Sequence, residues 1–178
     1  MPPKKAAKKH TPKDGHPSKD LRRAYEHLGR VEVLQRAAGP PGGKVEKLVR
    51  LAQEESSEGD PRNVADLLRA AEHLSFAALV DKSDKGGPIS GFLEAAVTEE
   101  FEHLRGRAEE HWDQEDADPA LAEIYQDAMR QAGRAANKGR HREAMELARA
   151  AEAIAHVKRE HGPKKPSAGG KLRELAAS

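Results

Sequence analysis

Apolar residues recur at steps of three and four through six segments of this chain, and each run is stopped by glycine or proline. That period places them on one face of an α-helix and does not suit the two-residue alternation of a half-buried strand. The first run, Leu21, Tyr25, Leu28, Val31 and Leu34, follows Ser18 as expected N-cap and ends at Gly39-Pro-Pro-Gly-Gly43. A shorter run carries Val45, Leu48 and Ala52. Asp60-Pro61 then reads as an N-cap followed by a proline at the first helical position, where no amide donor is needed. Val64, Leu67, Leu68, Ala71, Leu74 and Ala78 follow it. Beyond Asp84-Lys-Gly-Gly-Pro88 the fourth run holds Leu93, Val97, Phe101, Leu104, Ala108 and Trp112. Asp118-Pro119 repeats the cap and proline before Leu121, Ile124, Tyr125, Ala128, Ala132 and Ala135. After Gly139 the last run holds Ala144, Leu147, Ala148, Ala151 and Ala155. The expected fold is all-α, a bundle of about six helices in antiparallel hairpins.

Composition sets how such a bundle can pack. Ala, Glu, Lys, Leu and Arg make up 96 of the 178 residues, whereas Leu, Ile, Val and Phe number only 29. Alanine lets helix axes approach closely but buries little area. At about 0.8 kcal/mol per buried methylene, the few large side chains must supply most of the stabilisation. Tyr25, Phe76, Phe92, Phe101, Trp112 and Tyr125 are therefore expected to anchor the interior or an oligomer interface. The chain has no cysteine, which excludes disulfides, a thiol nucleophile and Cys-ligated zinc. No apolar run approaches the roughly 20 residues of a membrane span. The charged N-terminus lacks the apolar stretch of a secretory signal, so a cytoplasmic location and no membrane contact are expected.

The net charge of +1 is a cancellation. Residues 1–20 and 158–178 each carry six basic and two acidic residues, while 21–157 carry 19 basic and 26 acidic ones. Residues 1–17, with four prolines and no large apolar residue after Met1, cannot offset their ordering entropy and are expected to form a disordered basic tail. Residues 18–161 form the expected helical domain. Residues 162–178 form a basic linker with a short C-terminal helical segment. Lys4, Lys5, Lys8, Lys9, Lys164 and Lys165 are the candidate contacts to nucleic acid or an acidic partner. Phosphate neutralisation by such lysines is weak in sequence preference and sensitive to salt. There is no aromatic interleaving for base stacking and no glycine-rich phosphate loop. Pro2-Pro-Lys-Lys-Ala-Ala-Lys-Lys9 resembles the tails of linker-histone-like and bacterial nucleoid proteins, which implies a DNA-associated architectural role as one alternative.

Several polar constellations lie on the helices. Glu-His-Leu occurs three times, at His27, His73 and His103. Adjacent helical residues point about 100° apart, so each Glu and His within a copy cannot cooperate directly, and these histidines are expected to be structural. Glu100-Phe-Glu-His103 is a Glu-x-x-His pair, but the carboxylate-bridged di-metal bundles use two such pairs, and the chain holds no second. No metal and no cofactor are expected. Glu100, His103 and Arg107, with His111, border the apolar stripe of the fourth helix as a polar seam. Arg105-Gly-Arg-Ala-Glu-Glu-His111 resembles the Arg-x(4–6)-His pattern of the HEPN superfamily. That resemblance implies a dimeric ribonuclease with Arg105 and His111 acting on the RNA backbone. In an unbroken helix the two point about 120° apart, so the pattern requires a bend at Gly106 or a place near the helix end. Residues 119–157, through Gly139, Glu143-Ala144, Ala148 and Ala151, resemble the hairpin of a tetratricopeptide (TPR) repeat, although no 34-residue period extends it.

Arg-Ala-Tyr-Glu at 23–26 and Arg-Ala-Ala-Glu at 69–72 and 149–152 share a pattern at offsets of 46 and 80. With no constant period, helix-forming composition is the expected cause. The leading functional expectation is a non-enzymatic helical interaction or scaffold protein acting with a protein partner or as a homo-oligomer. An HEPN-like ribonuclease is the main alternative.

Overall fold

The computed structural model describes residues 17–39, 42–83, 91–113 and 117–158. They form six helices: α1 (Pro17–Ala38), α2 (Gly43–Glu58), α3 (Pro61–Ser83), α4 (Gly91–His111), α5 (Pro119–Asn137) and α6 (His141–Ala155). There is no strand among the described residues. The architecture is the all-α bundle that the periodicity predicts.

The helix ends follow local chemistry. The Asp60 carboxylate accepts from the Arg62 amide at 2.9 Å, and the Asp118 carboxylate accepts from the Ala120 amide at 2.8 Å. Each thereby satisfies an amide that has no partner within the first turn. The first helix departs from expectation: it already includes Pro17, so Ser18 lies inside it rather than capping it. Gly39 and Gly139 adopt positive φ values of 92° and 71°, which residues with a Cβ rarely adopt. At Gly139 this reverses the chain between α5 and α6. The Arg140 amide folds back to the Ala135 carbonyl at 2.9 Å.

The six helices form two units of three. The central helix α3 packs against α1 and α2, α6 packs against α4 and α5, and α3 packs against α6 to join the units. Lys47 and Glu123 pair at 3.3 Å, and Lys44 pairs with Asp127, so α2 and α5 are also linked. Here the expectation about repetition is corrected. Residues 80 apart play the same parts in α3 and α6: Arg62 and Arg142, Asp66 and Glu146, Leu67 and Leu147, Arg69 and Arg149, Glu72 and Glu152. From residue 63 to residue 72 each position has the burial of its counterpart, apart from buried Ala65 against half-buried Met145. Glu72 accepts from His27 of α1, Glu152 pairs with Arg107 of α4 at 2.8 Å, and His27 and Arg107 are also 80 apart. Composition alone does not place equivalent partners on equivalent helices, so the 80-residue offset reflects a repeated three-helix unit.

Alanine dominates the contacts. Ala70, Ala71, Ala144, Ala148, Ala150, Ala151 and Ala153 are all completely buried, and Leu48, Leu67, Ile124, Ile154 and Val31 are the largest fully enclosed side chains. The bulky set divides. Phe101 and Tyr125 are buried, and Trp112 stacks on Tyr125 with ring centroids 4.0 Å apart. Burial, reinforced by the negative charge of Glu109, pushes the Tyr125 phenol up to about 12. Tyr25 and Phe76 are instead exposed. Phe92 lies in α4 but its side chain is outside the described residues.

Candidate functional site

Two surfaces have features that the packing of the bundle does not require. The first is a polar cleft where α1, α3 and the end of α6 meet. The helical period brings Asp20, Arg23 and His27 to one side of α1 and Arg62, Asp66 and Arg69 to one side of α3. With His156 they line a cavity of about 280 Å³. A second cavity, of about 520 Å³, adjoins it through Arg62 and His156 and extends to His111, Trp112 and Lys158. The His111 and His156 rings lie 4.6 Å apart, tilted by 40°. His156 Nδ1 donates to the Glu152 carbonyl at 2.8 Å. A carbonyl can only accept, so the proton sits on Nδ1 and Nε2 is left to meet a ligand.

The arginines of the cleft are incompletely engaged. Arg23 is 3.6 Å from Asp20 and Arg69 is 3.7 Å from Asp66, contacts that are too long for hydrogen bonds. Arg69 Nε is buried with no hydrogen-bond partner among the described residues. Burial pushes the Asp66 carboxyl above its ordinary range, although Arg69, His156, Arg62 and His27 all act to lower it.

Around the cleft two histidine–carboxylate pairs join helices. His27 Nδ1 lies 2.6 Å from Glu72, linking α1 to α3, and His73 Nδ1 lies 2.7 Å from Glu146, linking α3 to α6. Burial opposes ionisation of both glutamates, yet the bond and charge of the facing histidine, with Arg30 or Arg149, hold each below 4.5. A carboxyl whose folded pKa is depressed adds stability that is present above its unfolded pKa and is lost as pH falls through the folded one. Acidification below about pH 4.5 is therefore expected to weaken both helix junctions. Glu72→Gln and Glu146→Gln should lower the urea midpoint at pH 7 and flatten its fall at acid pH. Asp66 has the opposite sign, because its raised pKa makes the charged form costly at neutral pH. Asp66→Asn should raise the midpoint at pH 7.

The second surface is the outer face of α1. Leu21, Tyr25 and Val33 follow one another at steps of four and eight and are 42%, 74% and 63% exposed. Gly29 lies between them, and an added Cβ there would meet nothing within 4 Å. The cleft residues Arg23 and His27 are turned away from Leu21 and Tyr25, by about 120–160° at 100° per residue.

The residues singled out from sequence are placed as follows. α4 runs unbroken through Gly106, and His111 is its last residue. Arg105 is engaged by Glu102 at 3.0 Å and Glu109 at 3.7 Å on its own helix, whereas His111 faces His156 of α6. Of the polar seam, Arg107 reaches across to Glu152, while Glu100 and His103 are exposed. Lys4, Lys5, Lys8, Lys9, Lys164 and Lys165 lie outside the described residues. Sequence reading missed Arg23, Arg62, Asp66, Arg69 and His156. The available signal was the Arg-x-x-x-Asp/Glu-x-x-Arg spacing common to 62–69 and 142–149. Among the described residues no three His, Asp or Glu side chains converge to hold a metal ion, and no helix is long and apolar enough to cross a membrane. Comparison with protein-family models, curated proteins and solved structures finds no match.

Proposed function

We propose that this protein is a non-enzymatic helical interaction module whose docking surface is the outer face of α1, with a second copy of the chain as occupant. The observation that carries this reading is the exposure of Tyr25, Val33 and Leu21 together on one face of a single helix. Tyrosine supplies large contact area at low entropic cost and is enriched where proteins bind one another. Gly29 on the same face lets a second helix backbone approach closely. Arg22, Glu26, Glu32 and Arg36 on the same side provide both signs of charge, so two copies are not driven apart. Two-fold pairing of identical patches is the commonest form of soluble oligomer. The basic segments at 1–17 and 162–178 would add salt-sensitive contacts to nucleic acid or an acidic partner.

Sedimentation equilibrium over a concentration series tests this reading. The wild-type chain is expected to exceed its monomer mass of 19.4 kDa, and Tyr25→Ser/Val33→Ser to return to it with helical circular dichroism intact. A wild type that stays monomeric throughout would overturn it. The ribonuclease alternative depends on Arg105 and His111 acting together, and the ion pairs of Arg105 with Glu102 and Glu109 give that reading less support.

A further inference from the structure

We infer that the cleft between α1, α3 and α6 is a binding site for a small dianionic phosphoryl ligand, held by Arg23, Arg62, Arg69 and His156. The cleft differs from its counterpart in the other half of the repeat, and this difference does not depend on the α1 docking face.

In the second half, the counterpart cluster is closed. Arg149 donates to Glu146 at 2.7 Å, and His73 of the other unit fills the remaining side of the same carboxylate at 2.7 Å. Both oxygens of the Glu146 carboxylate therefore have short partners. In the first half the same residue types stand 80 positions earlier, but Asp66 is one methylene shorter than Glu146. The position 80 residues after His73 is Ala153, so no histidine closes the cluster from that place. The Arg69–Asp66 contact opens to 3.7 Å, Arg69 Nε is left buried without a hydrogen bond, and a cavity of about 280 Å³ appears in front of it. Arg62 adds a guanidinium with no carboxylate within ion-pair distance among the described residues, and Arg23 enters from α1 with only the long contact to Asp20.

Three planar forks facing one cavity provide the donor geometry that matches phosphate oxygens. His156 Nε2 can add a fourth donor when the ring is protonated. The cavity lies at the small end of the range for ligand pockets, which fits pyrophosphate or a short phosphate ester rather than a polymer. A bound cation is disfavoured, because the carboxylates of Asp20 and Asp66 are each faced by an arginine of their own helix. The carboxylates of Asp20 and Asp66 are the groups in the wall that oppose the ligand, so removing the Asp66 charge gives the proposal a distinctive signature.

Calorimetric titration of the full chain with inorganic pyrophosphate tests this, with sulfate and phosphate as size and charge comparisons. One site per chain is expected, with pyrophosphate favoured over sulfate. Arg62→Gln and Arg69→Gln should each weaken it about tenfold or more, the effect of removing a charged hydrogen-bond donor. Asp66→Asn should tighten it. Arg142→Gln and Arg149→Gln, the counterparts in the closed half, should leave it unchanged. Arg62 and Arg142 are both exposed, so these variants keep the fold, and circular dichroism verifies this. Absence of any heat with pyrophosphate, equal losses for Arg62→Gln and Arg142→Gln, or weakening by Asp66→Asn would each overturn the assignment.

Discussion

Leu67→Ala is expected to lower the free energy of unfolding by about 2–5 kcal/mol, the range for truncating an enclosed leucine. Leu67 is 1% exposed on α3, the helix that contacts α1, α2 and α6. It belongs to the main buried cluster, whose other members are held on several helices, so the cavity left behind can collapse only partly. The chain has few large apolar side chains, and each carries a larger share of the total than in a leucine-rich bundle. Leu147→Ala, at the repeat-equivalent position on α6, should fall in the same range. Urea unfolding followed by circular dichroism measures both. A loss under about 1 kcal/mol at Leu67, the size of an average substitution, would show that the core is less closely packed than described.

Ala151→Leu is expected to be nearly as damaging for the opposite reason. Ala151 is completely buried on α6, which is packed by α3, α4 and α5. Added methylenes in a filled core force side chains and backbone apart at about 1–3 kcal/mol. At this position they also push at the helix that joins the two units. Ala71→Leu applies the same strain from α3. Ala78→Leu, on the exposed side of α3, should stay within about 0.5 kcal/mol of wild type. The contrast between Ala151 and Ala78 separates overpacking from any general effect of leucine on helix formation, and thermal denaturation of the three variants reads it directly.

The two histidine–glutamate pairs show where sequence reasoning stops. Glu26-His27-Leu28 and Glu72-His73-Leu74 are visible as repeated tripeptides, and the conclusion that neighbouring Glu and His cannot meet is sound. It does not say which carboxylate each histidine finds. His27 reaches Glu72, 45 residues away, and His73 reaches Glu146, 73 residues away. The second tripeptide therefore serves as acceptor to one helix through Glu72 and partner to another through His73. The third copy has no such role, since His103 is exposed. Arg105 and Arg107 make the same point. They are two residues apart on one helix, yet Arg105 stays within α4 and Arg107 crosses to α6.

The internal repeat was partly legible. Arg-Ala-Ala-Glu at 69–72 and 149–152 has the meaningful offset, but the similar tetrad at 23–26 obscured it by adding a second, unrelated spacing. Only the equivalent burial along α3 and α6, and the equivalent partners of Glu72 and Glu152, distinguish repetition from shared composition. The candidate cleft follows from the same comparison, because the long Arg69–Asp66 contact stands out against the short Arg149–Glu146 pair at the equivalent positions.

By itself the sequence determined the helical class, six elements and most of their ends. These depend on interactions within a few residues: a 3.6-residue period, an aspartate before a proline, a glycine able to take positive φ. Tertiary structure decided which helices touch, which ion pairs cross between them, and that one of two similar charged clusters closes while the other opens into a cavity. Those outcomes depend on the relative placement of helices far apart in the chain. Asp66 and Glu146 differ by one methylene, a small difference in local pattern, yet only Glu146 meets both an arginine of its own helix and a histidine of another at short range.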